Sequence, residues 1–240
     1  MNDHIVIDCE TLGSGRGQVV ISLAALRFDL EDMDSTLELM EIIKERPLNV
    51  DKVSGVGISG QDMKTSDLIF IKIPLIESLR RGFTTAAGTI DWWMKKPLEQ
   101  LEFNLATTSS TSTTSYLEYL SSWVKATASA HREGVEVWAN SPRFDFEALE
   151  EYFARCNKEF PVHFRRERDI RTIRAFFKLP YPNFKEMGLE SHNPIHDCFA
   201  QAIDMQKASA VLRDGESLRK SLSVSKPEEA SSAELTPPTR

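Results

Sequence analysis

The chain has 240 residues, of which 41% are hydrophobic and 27% charged, a balance typical of a globular protein with a packed core. No stretch approaches the roughly 18 apolar residues that a membrane span needs, and the first residues lack the basic-then-apolar pattern of a secretory signal. The three cysteines, Cys9, Cys156 and Cys198, are too few and too scattered for a disulfide framework or a structural zinc site. We therefore expect a cytoplasmic protein with no membrane partner.

The formal net charge of −7 argues against a protein that coats nucleic acid through a broad basic surface. It excludes much less for an enzyme that holds a single strand end, because such an enzyme needs only a local binding surface. The location of the acidic residues therefore matters more than their number.

The N-terminal part predicts an antiparallel meander. Asp3–Cys9 contains a β-branched run typical of a buried strand, and Gln18–Phe28 reads as a second strand. The glycines of Gly13–Gly17 resemble a dinucleotide-binding loop, but a strand rather than a helix follows them, which favours a tight turn. Leu37–Ile43 is the expected third strand.

The middle of the chain predicts helices. Thr89–Leu105 has apolar residues at spacings of three and four, as in an amphipathic helix. The run Thr107–Ser115 consists of nine hydroxyl residues with low helix propensity, which favours a flexible loop. A further helix is expected over Tyr116–Ala130.

The C-terminal half alternates strand and helix, which with the early strands predicts a mixed α/β fold. Val135–Ala139 is the expected strand, and the expected helices are Asp145–Cys156, Asp169–Phe177 and Asp197–Leu212. We predict one domain over residues 1–212. Residues 213–240, rich in Ser, Glu, Pro and Thr, are expected to form a disordered tail.

Two acidic residues end the first predicted strand. Asp8 and Glu10 are two residues apart, so the strand period directs both side chains to one face. Carboxylates that close repel each other, and a bound cation is one resolution. The alternative is an exposed strand end whose acids are solvated.

Further polar residues follow at two later junctions. Asp145 comes after an apolar strand and a polar turn, where it can serve a site, the start of a helix, or both. His192 and Asp197 flank Pro194, just before the last predicted helix. His192 and His196 have the spacing of a zinc-binding helix pair, but Pro194 interrupts that helix and no metalloprotease glutamate is present, so we reject zinc.

The combination is more informative than its parts. Four carboxylates and a histidine lie at three strand–loop–helix junctions, and oxygen ligands favour Mg²⁺ or Mn²⁺ over zinc. Two such ions can act on both oxygens of a phosphodiester displacement, while a histidine takes a proton from the attacking water.

In this order the residues resemble the DEDDh exonucleases of the DnaQ-like superfamily, most closely the phage and bacterial 3'-5' exoribonuclease-like branch. The resemblance spans about residues 4–206. It is carried by Ile7–Gly13, Trp92–Trp93, Trp138–Asn140 with Phe144–Asp145, Arg168–Thr172 and His192 with Asp197.

The resemblance implies an RNase H-like fold, with the antiparallel meander first, and removal of single nucleotides from the 3' end of a single strand or an overhang, with RNA as the expected substrate. It implies two divalent cations, Mg²⁺ or Mn²⁺, and a homodimer. The implied metal ligands are Asp8, Glu10, Asp145 and Asp197, and the implied general base is His192. Thr11, Leu12, Asn140 and Phe144 are the implied substrate contacts, and Asp169 has at most a supporting role.

Two other features leave alternatives open. Phe164–Lys178 carries six basic and two acidic residues, which suits either a phosphate-binding patch or a solvated helix face with internal ion pairs. Trp92 and Trp93 suit base stacking, although helical spacing favours a core position for at least one of them.

Three other functions remain as alternatives. A 3'-5' exodeoxyribonuclease would share every signature residue, because the choice between RNA and DNA depends on contacts to the 2'-hydroxyl. A non-catalytic nucleic-acid-binding module would usually have lost one of the acids, and all of them are present. A small-molecule phosphodiesterase would act on dinucleotides but not on longer strands.

Overall fold

The computed structural model describes residues 3–45, 56–58, 67–106, 111–129 and 134–224. Within them, six strands form one sheet: β1 (Asp3–Thr11), β2 (Val20–Asp29), β3 (Val56–Ile58), β4 (Leu68–Lys72), β5 (Glu136–Ala139) and β6 (Glu167–Asp169). The helices are α1 (Met33–Glu45), α2 (Leu75–Arg80), α3 (Ala87–Trp93), α4 (Leu98–Asn104), α5 (Thr113–Ser129), α6 (Pro142–Arg155), α7 (Ile170–Phe177), α8 (Phe184–Met187) and α9 (Pro194–Val224).

The sheet has the order β3-β4-β2-β1-β5-β6. β1, β2, β4 and β3 pair antiparallel, whereas β5 pairs parallel with β1 and β6 parallel with β5. An antiparallel meander followed by parallel strands is the RNase H-like arrangement, so the predicted fold class is confirmed. β1 lies in the middle of the sheet, and its carboxyl end is therefore surrounded by other elements.

The prediction of a third strand at Leu37–Ile43 is wrong, because these residues belong to α1. The buried residues there are Thr36, Leu39, Met40 and Ile43, which follow the helical period and not the alternation of a strand. The Asp32 carboxylate accepts the Ser35 N–H at 3.0 Å near the start of this helix. The third strand of the meander is β4, in which every residue is buried.

The single helix predicted over Thr89–Leu105 is two helices, α3 and α4, separated at Pro97. A residue that precedes proline disfavours helical backbone, which explains the break. Residues 107–110 of the predicted hydroxyl-rich loop lie outside the described residues. The rest of that run is not all loop, because α5 begins at Thr113, whose N–H donates to Glu77 Oε2 at 2.8 Å.

The last helix is longer than predicted. α9 has 31 residues and continues to Val224, so its backbone passes the predicted tail boundary at residue 213 without a break. Residues 225–240 of the predicted tail lie outside the described residues. None of the helices in the described residues combines the length and apolar character that crossing a bilayer requires.

The core lies on both faces of the sheet. Ile5 and Ile7 belong to the cluster that packs against α5 and α6, while Val6 belongs to the cluster that packs against α1 and α9. The alternation along β1 continues past the core, so Asp8 and Glu10 share the face on which α9 lies. Their predicted common face is thus the face that carries the start of α9.

A β-bulge shifts the strand pairing at the end of β1. Glu10 pairs with Ser22 but Thr11 pairs with Val20, so the register shifts by one residue beside the acids. The buried Tyr152 hydroxyl accepts the Val20 N–H at 3.1 Å and donates to Ser78 Oγ at 2.9 Å. This hydroxyl therefore accepts from a buried backbone N–H next to the bulge.

We predict that Tyr152→Phe lowers the free energy of unfolding by about 1–3 kcal/mol, because it leaves the buried Val20 N–H without an acceptor. Urea denaturation measures the change. The control is Tyr181→Phe at a side chain that is 77% exposed, which should change stability by less than about 0.5 kcal/mol. Equal losses in the two variants would contradict this role for the Tyr152 hydroxyl.

Candidate active site

A cavity of about 350 Å³ opens where β1 and β5 end and α6 and α9 begin. It brings together all five residues predicted for catalysis. It is lined by Asp8, Cys9, Glu10, Thr11, Gly13, Ser14, Thr89, Trp92, Trp93, Asn140, Ser141, Phe144, Asp145, Arg171, His192 and Asp197. Residues up to 189 positions apart in the sequence thus meet at one edge of the sheet.

Three carboxylates form the centre of this cavity. Asp8 and Glu10 come from the end of β1 and Asp197 from the first turn of α9, and each offers an oxygen within 4.8 Å of the others. Asp197 Oδ2 is buried and has no hydrogen-bond partner in the described structure. A buried acceptor left without a donor is costly, and a divalent cation with oxygen ligands satisfies it. The residues therefore fit a Mg²⁺- or Mn²⁺-type ion.

Asp145 lines the same cavity from the first turn of α6 and is 3% exposed. Its Oδ1 accepts the Cys9 N–H at 3.2 Å and its Oδ2 accepts the Ser141 N–H at 3.3 Å. The Asp145 side chain therefore joins the start of α6 to β1 at Cys9, which lies between Asp8 and Glu10. It also lies at a helix N-terminus, so both interpretations of Asp145 apply at once.

Burial raises the pKa values of the four acids, and repulsion from neighbouring carboxylates adds to the effect for Asp8 and Glu10. Burial, followed by the charges of Asp197 and Asp145, raises the pKa of Asp8 and of Glu10 well above the usual range. Burial raises the pKa of Asp145 and of Asp197 to about 7 although backbone N–H groups bind both carboxylates. Bound cations would favour the charged forms of all four.

His192 adopts a left-handed backbone conformation, with φ of 62°, in the loop before α9. Its Nδ1 lies 3.8 Å from Glu10 Oε1, and its ring meets the Trp92 ring edge-on with 4.7 Å between centroids. Burial, then the charge of Lys96, lowers the pKa of His192. The ring is therefore neutral at pH 7, as a proton acceptor must be.

The residues predicted to contact substrate divide into two groups. Thr11, Asn140 and Phe144 line the cavity. Leu12 instead belongs to the hydrophobic core and is 7% exposed. The Asn140 Oδ1 accepts a bond from Arg174 Nη1 at 2.8 Å, which orients this amide at the cavity wall.

The residues of the basic segment Phe164–Lys178 divide between the two predicted roles, phosphate binding and structural ion pairs. Arg171 lines the cavity, as a phosphate-binding residue would. Arg174 is buried and paired with Asp204 at 2.6 Å. Arg166 and Arg168 pair with Glu136, and Asp169 accepts from Thr172 at the start of α7, so these residues have structural contacts.

The two tryptophans also differ. Trp93 is 2% exposed and donates from Nε1 to the Thr11 carbonyl at 2.9 Å, which is a core role. Trp92 is 36% exposed, lines the cavity and has Lys96 Nζ 3.9 Å from its ring centroid. Both tryptophans line the cavity, but of the two only Trp92 exposes much of its ring to a ligand.

The sequence reasoning missed Gln201. Its Nε2 donates to Asp8 Oδ1 at 2.6 Å and its side chain is almost fully buried. Gln201 lies four residues after Asp197 on α9, so helical spacing alone places both on the same face, which was the available signal. The contact holds the Asp8 carboxylate in one orientation.

Four acids and a neutral histidine at the carboxyl end of the central strand of an RNase H-like sheet are the arrangement of a DEDDh-type nuclease. Residues 3–210 match the family model described as the Rv2179c-like 3'-5' exoribonuclease domain. The chain belongs to this family.

Among solved structures, the chain is similar to the crystal structure of cell-death related nuclease 4 (CRN-4). The TM-score is 0.47 and the sequence identity 11%, over 88% of this chain and 64% of that one. This chain thus spans less than two thirds of that protein. No curated protein sequence matches the chain significantly.

We predict that the metal-free protein becomes less stable as pH rises from about 5 to 8. Asp145 and Asp197 have pKa values raised to about 7, so in this range the folded protein binds more protons than the unfolded chain. The stability they contribute is therefore present at low pH and lost as pH rises through 7.

Thermal unfolding in a chelator, across this pH range, measures the effect. Mg²⁺ or Mn²⁺ should raise the melting temperature more at the alkaline end, where the acids are charged, than at the acidic end. Asp8→Asn should weaken the pH dependence because it removes one interacting charge. A metal-free stability that increases with pH throughout the range would contradict the prediction.

Proposed function

We propose that this protein is a metal-dependent exonuclease that removes nucleotides one at a time from the 3' end of single-stranded RNA. The main observation behind this proposal is the cluster of Asp8, Glu10 and Asp197. In this cluster Asp197 Oδ2 is buried and has no hydrogen-bond partner in the described structure. The family, described as 3'-5' exoribonuclease, supports the polarity and the preference for RNA.

Asp8, Glu10, Asp145 and Asp197 are the residues that would hold two divalent cations. Bound there, the cations would neutralise the negative charge that develops on the phosphate during hydrolysis. Gln201 keeps Asp8 oriented, and the backbone N–H groups of Cys9 and Ser141 keep Asp145 in place. These contacts hold the ligands in one geometry before any ion arrives.

His192 is the proposed general base. Its neutral ring accepts a proton from the attacking water, whose oxygen forms the new bond to phosphorus. The bond from phosphorus to the 3' oxygen of the preceding nucleotide breaks, that oxygen takes up a proton from solvent to become the new 3' hydroxyl, and a nucleoside 5'-monophosphate is released. The partly buried ring beside Glu10 keeps the base form at neutral pH because burial and Lys96 oppose its protonation.

Two basic side chains lie near the acidic residues and are suited to binding the phosphate backbone of a strand. Arg171 lines the cavity, and its positive charge lowers the pKa of Asp145. The charge of Lys96, which lies over the Trp92 ring, lowers the pKa of Glu10 in the same way. Phosphates that approach the acids would thus meet two positive charges close to them.

The observations favour turnover over the other functions considered. A module that only binds nucleic acid has no need for four buried or partly buried acids whose pKa values are raised at a cost in stability. DNA remains the second candidate substrate, since the acids and the base are equally suited to it. The homodimer and the cytoplasmic location stay predictions.

We predict that Asp8→Asn reduces the release of mononucleotides from end-labelled RNA by more than about 10³-fold, since it removes a charge from the centre of the ligand set. The matched control is Asp91→Asn, the same change at an exposed carboxylate paired with Lys95 at 2.6 Å. Purified Asp8→Asn protein with undiminished activity would rule out the proposed function. The same assay on DNA of identical sequence decides between the two substrates.

We also predict that His192→Asn slows hydrolysis by roughly 10²- to 10⁴-fold. Asparagine tolerates the left-handed backbone conformation found here, so the loop should keep its shape. Single-turnover kinetics measure the rate, and calorimetric titration with Mn²⁺ measures metal affinity, which should stay unchanged. A fall in metal affinity as large as the fall in rate would instead assign His192 to metal binding.

A further inference from the structure

Two amide side chains of α4 bind the backbone of the loop that carries His192. Asn104 Nδ2 donates to the His192 carbonyl at 3.0 Å, and Gln100 Nε2 donates to the Ser191 carbonyl. Both donors come from one face of α4, since the residues are four apart. Neither residue lines the active-site cavity.

Asn104 is completely buried, and both the oxygen and the nitrogen of its amide are hydrogen-bonded. Its Oδ1 accepts the Ser22 hydroxyl at 2.6 Å, and its Nδ2 donates to the Gln100 carbonyl at 3.0 Å as well as to His192. The three partners determine the amide orientation, because a flipped side chain would face its oxygen toward two carbonyls. Asn104 therefore has a single arrangement.

Ser22 connects this amide to the acids. It lies on β2 directly opposite Glu10 of β1. The chain of contacts thus runs from the strand beside Glu10, through Asn104, to the backbone of His192, whose Nδ1 lies 3.8 Å from Glu10. The base and the acid are held relative to one another by a buried polar group.

The histidine loop needs such support. His192 has φ of 62°, a conformation that costs a non-glycine residue energy unless its surroundings enforce it. Apart from Glu10 at 3.8 Å, the ring contact that the structure describes is the edge of Trp92. The direction of the ring therefore depends on its backbone, which α4 holds at the two carbonyls and the Asp197 carboxylate holds at the His192 N–H.

We propose that Asn104 and Gln100 are positioning residues that fix His192 against Glu10 for the chemical step. The proposal rests on the proposed function, in which His192 is the general base. Since neither residue contacts the cavity, their loss affects how often the base is aligned and leaves substrate binding alone. A displacement of about 1 Å in such an arrangement can reduce a rate by up to about 10²-fold.

The test measures kcat and KM for labelled RNA in Gln100→Ala and Asn104→Ala. Each should lower kcat by roughly 10- to 100-fold and leave KM and Mn²⁺ affinity unchanged. Gln100 is only partly buried, so Gln100→Ala keeps the test valid if the fully buried Asn104→Ala unfolds. Glu99→Ala, an exposed change on the same helix, is the control and should leave kcat unchanged.

A double-mutant cycle separates positioning from a general structural role. Combined with His192→Asn, each α4 substitution should lower kcat by less than about twofold further, because the group it positions is gone. Full additivity, or an unchanged kcat in Gln100→Ala, would overturn the proposal. If His192→Asn itself retains the wild-type rate, the proposed function fails first and the positioning role fails with it.

Discussion

The repulsion between carboxylates in one partly buried cavity is the constraint on which this structure depends. Burial alone disfavours each charge, and the neighbouring acids add to the cost for Asp8 and Glu10. A protein core normally avoids such a cluster. Its presence at the end of the central strand means that the surrounding elements must hold the acids together against their own electrostatics until cations bind.

The fold meets this constraint with rigid supports at each acid. The bulge at the end of β1 is stabilised by Tyr152, and Asp145 accepts two backbone N–H groups. Asp8 accepts from Gln201, which α9 presents one turn after Asp197. Each acid that a cation would bind is thus attached to a strand or a helix end. This arrangement lowers the stability of the metal-free protein but preforms the site.

Local patterns were enough to predict most of the fold and the five signature residues, whereas contacts between distant segments were not. The strand period predicted the common face of Asp8 and Glu10. Pro194 indicated the junction between a loop and the last helix, where His192 and Asp197 lie. Leu37–Ile43 was misassigned because a short apolar run fits both periods until its neighbours are considered. The contact between Asn104 and His192 joins residues 88 positions apart, and no local pattern encodes it.

The uneven distribution of charge gives the acidic net charge a different meaning. The acids of the cavity contribute to the total of −7, yet Arg171 lines the same cavity and Lys96 lies over Trp92, which lines it too. A base can stack on that side of the Trp92 ring only if the lysine moves away. An acidic protein can therefore hold a strand end through a few basic groups beside the acids of one cavity.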